Sequence, residues 1–68
     1  MKINNVYQLP NGTLLDLSED IPENVIVKAV IITGNYHEVI GYPVSEYCSL
    51  LIKKTPDIKK DQEVIIVD

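Results

Sequence analysis

The sequence predicts a mostly β domain of the α+β class: an antiparallel sheet of two hairpins plus a C-terminal strand, with one short helix near residues 45–54. Three observations predict it. Asn11-Gly12 and Gly34-Asn35 each sit between apolar stretches, and such pairs favour tight hairpin turns because Gly and Asn tolerate positive φ. The longest apolar stretch, Val25 to Thr33, is rich in Val and Ile, which fit a pleated strand better than a helix. Only the segment from Pro43 to Lys54 sorts its side chains better on a helical period than on a period of two.

Taken in order, Val6 to Leu9 and Thr13 to Leu17 form the first expected hairpin around Pro10-Asn11-Gly12. Ser18 to Asn24 is polar, aperiodic and interrupted by Pro22, which reads as an exposed loop. Val25 to Thr33 and Tyr36 to Tyr42 form the second hairpin. A Gly34-Asn35 loop pairs Thr33 with Tyr36, Ile31 with Glu38 and Ala29 with Ile40. In the next segment Val44, Tyr47, Cys48, Leu51 and Ile52 fall on one helical arc, with Ser45, Glu46, Ser49 and Lys53 opposite and Leu50 as the exception. Ser45 suits the N-cap, Lys53 and Lys54 the last turn, and Pro56 prevents the helix from continuing. Glu63 to Val67 is the final strand.

The second hairpin and the final strand carry apolar residues on both faces, whereas a sheet with one wet face alternates cleanly. Cover must come from the helix, from curling into a small all-β barrel of the SH3 or OB type, or from another copy of the chain. The barrel is the alternative architecture. The chain is a single domain, residues 1–68, and a domain of this size buries only about 60% of the surface its unfolded chain exposes. Cys48 is the only cysteine, so an intramolecular disulfide cannot reinforce it and a reducing compartment is expected. Self-association is therefore expected, as a homodimer, a higher oligomer or a permanent complex.

The formal charge of −4 disfavours direct binding to nucleic acid or to anionic membranes. The start Met-Lys-Ile-Asn-Asn lacks the apolar run of a signal peptide, and no stretch has the length of a membrane span. A cytoplasmic location is expected. All six basic residues are lysines, and Phe and Trp are absent, which leaves tyrosine as the main aromatic anchor. The wealth of Ile, Lys and Asn without Arg fits an AT-rich genome, such as that of a low-GC bacterium or one of its phages.

No catalytic constellation can be assembled, and no cofactor or metal is expected. His37 would be first in line for acid–base work, but one residue past the expected turn it reads as a solvated surface side chain. Cys48 lies on the apolar arc, where a free cysteine acts as a small core residue. Asp16, Glu19, Asp20 and Glu23 form the densest acidic segment without the pattern of a calcium loop. Tyr36 and Tyr42 share a strand face six residues apart and are candidate contact residues with His37.

Three functions from different classes are compatible with these features. The first is a protein-binding or assembly module that is oligomeric and has no catalysis of its own, its partner being itself or an unidentified protein. The second is an acidic inhibitor of the phage type, with Asp16, Glu19, Asp20 and Glu23 occupying the basic groove of a nucleic-acid-binding host protein. The third is a small enzyme with a site between subunits that uses His37.

Overall fold

The first hairpin forms where the sequence places it, but its glycine has a different task. The computed structural model describes residues 1–22, 24–42 and 48–68. Strands β1 (Ile3–Leu9) and β2 (Gly12–Leu17) pair antiparallel with Leu9 opposite Gly12, so Pro10 and Asn11 make the turn. Asn11 is not among the residues with positive φ. Pro10 instead presets the first central position of the turn. Gly12 is demanded from outside the hairpin, since a Cβ there would stand 2.6 Å from the Ile52 carbonyl oxygen and 3.2 Å from Ile40 Cδ1.

Strands β3 (Ala29–Ile32) and β4 (Asn35–Gly41) form the second hairpin. Its turn is Thr33-Gly34, with φ of 52° and 81°, the pair of left-handed conformations that matches strand twist in a two-residue loop. Ile31 thus faces Tyr36 and Ala29 faces Glu38, a register displaced by two residues from the expected one. Displacement by two keeps every side chain on its face, so the core pattern is the same in either register. The ladder continues past the hairpin through Val39 N–H to the Lys28 carbonyl, and β4 joins its other neighbour through Lys53 N–H to the Glu38 carbonyl, both at 3.0 Å. A β-branched residue in the left-handed region costs on the order of 1 kcal/mol, less than these ladder contacts together contribute.

The expected helix near residues 45–54 is replaced over its second half by strand β5 (Ser49–Ile52); residues 45–47 lie outside the described residues. Strand β5 is paired on both sides, to β2 through Leu15–Leu50 and Thr13–Ile52 and to β4 through Val39–Ile52. Leu50, the misfit of the helical arc, is fully buried with Ile52 on the inner face. Ser49 made the strand pattern look poor, and it is buried because its hydroxyl donates to Asp16 Oδ1 at 2.7 Å. A central strand satisfies its backbone on both edges, and that outweighs a local helical pattern.

With β6 (Val64–Val67) beside β3, the six strands form one antiparallel sheet in the order β1-β2-β5-β4-β3-β6. One extra residue bulges β1 between Ile3 and Asn5, another bulges β4 between Val39 and Gly41, and such bulges bend a sheet. The two outermost strands meet at one end. Lys2 bridges Glu63, Ile3 N–H donates to the Gln62 carbonyl at 3.0 Å, and Val64 N–H donates to the Met1 carbonyl at 2.8 Å. The curl encloses Ile3, Leu15, Leu17, Val30, Ile32, Leu50, Ile52 and Val64, with Ile21, Val27 and Ile58 added by the connections. Accessible surface is 4439 Å², against about 4,300 Å² for a self-contained monomer of this mass. The inner face is covered within one chain.

Two substitutions test this account by urea unfolding. Gly12→Ala should lower the unfolding free energy by about 1–3 kcal/mol, because a backbone oxygen cannot swing aside. Thr33→Asn should raise it by about 1 kcal/mol, because it creates the Asn-Gly pair that the turn prefers.

Candidate functional site

Two surfaces have the character of sites: a polar cleft at one end of the sheet and an apolar band on its outer face. The cleft opens beside the β3–β4 turn, with a volume of about 270 Å³. The buried side chains of Ile32 and Ile58 lie beneath it, and Asn35, His37, Asp57 and Gln62 give it polar walls. His37 pairs with Val30 and so shares the inward-facing parity of β4. It is half-buried rather than a solvated residue at a turn. The observed register and the return of the chain through Thr55 to Gln62 bring these groups together, and no local motif in the sequence announces them.

On the outer face, successive register pairs place Ile65, Ile31 and Tyr36 in a row across β6, β3 and β4. Ile65 is 59% and Tyr36 66% exposed. A second row crosses β1, β2, β5 and β4 through Tyr7, Leu14, Leu51 and Gly41, with Ile40 exposed beside it. Between the rows lies the ion pair of Lys53 Nζ with Glu38 Oε2 at 3.0 Å.

The other sequence candidates separate. Tyr42 does not form one surface with Tyr36, because the bulge at the end of β4 breaks the alternation that would align them. Its hydroxyl accepts from Val27 N–H and donates to the Val27 carbonyl, both at 2.7 Å, and so pins the segment that enters β3. Asp16 lies in β2 and binds Ser49. Glu19 lies 3.8 Å from the Met1 amine, which also meets Glu63 at 3.1 Å. Asp20 is exposed, and Glu23 lies outside the described residues. Cys48 is half-buried and free, directly before β5. Among the described residues no three His, Cys, Asp or Glu side chains are grouped to hold a metal ion, and no helix is long and apolar enough to cross a membrane.

Comparison with protein-family models, with curated proteins and with solved structures gives no match. The functional reading therefore rests on these two surfaces.

Removal of the Tyr42 hydroxyl separates its structural role from a contact role. Tyr42→Phe leaves the buried Val27 N–H without its partner, at a cost of about 1–2 kcal/mol. Amide hydrogen exchange at Val27 should accelerate, while exchange in β2 and β5 changes only with global stability.

Proposed function

We infer that the chain is a protein-binding module that acts through the outer face of β4, β3 and β6, with a second copy of itself as the first partner. The observation that carries this reading is the Ile65–Ile31–Tyr36 row. Ile65 and Tyr36 stand largely open to water on either side of the half-buried Ile31, and a contiguous exposed apolar patch is the mark of an interaction surface. Glu38 and Lys53 beside the row cancel in charge, so two chains of net charge −4 could meet there without local repulsion. Tyr36 supplies the rigid aromatic contact area in a chain without Phe or Trp.

The architecture that goes with this reading is a small barrel closed at one corner, supported by the Lys2–Glu63 bridge. A cytoplasmic setting and the absence of catalysis remain part of the proposal. The acidic-inhibitor reading draws less support, because Asp16 and Glu19 already have partners inside the chain.

Light scattering over a concentration series tests the proposal. A dimer should form at micromolar concentration, and Ile65→Lys or Tyr36→Glu should weaken it at least about tenfold, as expected for the centre of an interface. A wild-type chain that stays monomeric into the millimolar range would rule out self-association.

A further inference from the structure

The cleft beside the β3–β4 turn has a composition that selects its occupant. Hydrogen bonds within the chain show which of its groups are already engaged. Lys59 N–H donates to Gln62 Oε1 at 2.8 Å, so that acceptor is already engaged. The Thr55 backbone is held by Thr13 and Gln8. Among the described residues, the side chains of Asn35, His37 and Asp57 make no hydrogen bond or ion pair within the chain. Of the described residues, Asp57 is the only carboxylate lining the cleft, and no lysine among them lines it.

An anion would have to approach Asp57 in a protein of net charge −4, so phosphate and carboxylate ligands are disfavoured. A purely apolar ligand would strip water from four polar walls without replacing its hydrogen bonds. The arrangement suits a cation that is a flat, multiple donor at one end and apolar behind. We propose that the cleft binds a guanidinium group on a short aliphatic stem, with Asp57 as its counter-ion, the Asn35 side-chain oxygen as a second acceptor, and Ile58 against the stem. Guanidinium is preferred over ammonium because it donates to two acceptors in one plane and is less strongly hydrated. His37 offers its ring as a stacking surface for the same plane. An apolar cavity of roughly 150 Å³ holds a benzene ring, so a cleft of about 270 Å³ has room for the group and its stem. The chain contains no arginine, so the guanidinium belongs to another molecule, either the side chain of a partner polypeptide or a free small compound. This inference rests on the cleft alone and stands apart from the outer sheet face.

The test is a titration of the ¹⁵N-labelled full chain with N-acetylarginine N-methylamide to about 20 mM, a range suited to a fragment of millimolar affinity, monitored by amide NMR shifts. Saturable shifts confined to Asn35, His37, Asp57, Ile58 and Gln62 are expected. The norleucine analogue should produce none, and Asp57→Asn should weaken binding at least about fivefold. Asn35→Ala serves as a second variant with the same expected direction. Shifts that do not saturate, that appear equally with norleucine, or that survive both substitutions unchanged would overturn the proposal. Ala-Arg-Ala binding more tightly than agmatine would assign the group to a partner polypeptide, and the reverse order to a free compound; either supports guanidinium recognition. Ile65→Lys should leave this binding intact, so failure of the sheet-face reading and failure of this one are separable.

Discussion

The structure depends on the pairing of Ser49–Ile52 between β2 and β4. The N-terminal hairpin has only two strands, and an isolated two-stranded hairpin is at best marginally stable in water. Strand β5 joins it to the β4–β3–β6 unit in a single six-stranded sheet, and the bulges in β1 and β4 let that sheet curl over its own inner face. The constraint reaches the residue level at Gly12, where the backbone of β5 comes too near for any side chain. It is also visible at Thr13, fully buried, whose hydroxyl donates to Gln8 Oε1 at 2.8 Å and accepts from Thr55 N–H at 3.0 Å. Those bonds hold the chain leaving β5 against the first hairpin.

Both candidate sites descend from this arrangement. With the inner face consumed by the core, the apolar residues of opposite parity on β3 and β6 are left outside, where only Ala29 is fully buried. The same curl leaves an end at which the Thr33-Gly34 turn and the segment from Thr55 to Gln62 approach one another. Polar side chains gather there because backbone ladders run out and water enters. The chemistry of the cleft is set by the few side chains that the β3–β4 turn and the segment from Thr55 to Gln62 present, and Gln62 also takes part in the closing contact, where its carbonyl accepts from Ile3 N–H. Asp57 has weight because no lysine among the described residues shares its walls.

Much of the strand content was legible because two turns and a run of β-branched residues act locally. The faces of β3 and β4 were legible even in a displaced register, since parity survives a shift of two. What misled was the buried serine. Ser49 reads as a solvent-facing residue until Asp16 is seen 2.7 Å away, and a pairing partner 33 residues distant leaves no trace in a local pattern. His37 was singled out for its chemistry but not for its place. Its companions Asn35, Asp57 and Gln62 were unremarked, because polar residues near turns are common and nothing in their spacing marks convergence.

By itself the sequence determined that the chain is rich in strands, acidic, lacking arginine, and carrying apolar residues on both faces of its second hairpin. These properties come from composition and from the stereochemistry of neighbouring residues, which need no knowledge of distant contacts. Only the tertiary structure decided that Ser49–Ile52 is a strand, that Thr33 rather than Asn35 enters the turn, and that the chain covers its own inner face. It also decided which polar groups share a cleft. Each of these is settled by backbone pairing and burial between segments far apart in the chain, where the ladder contributes more than the local preferences it overrides.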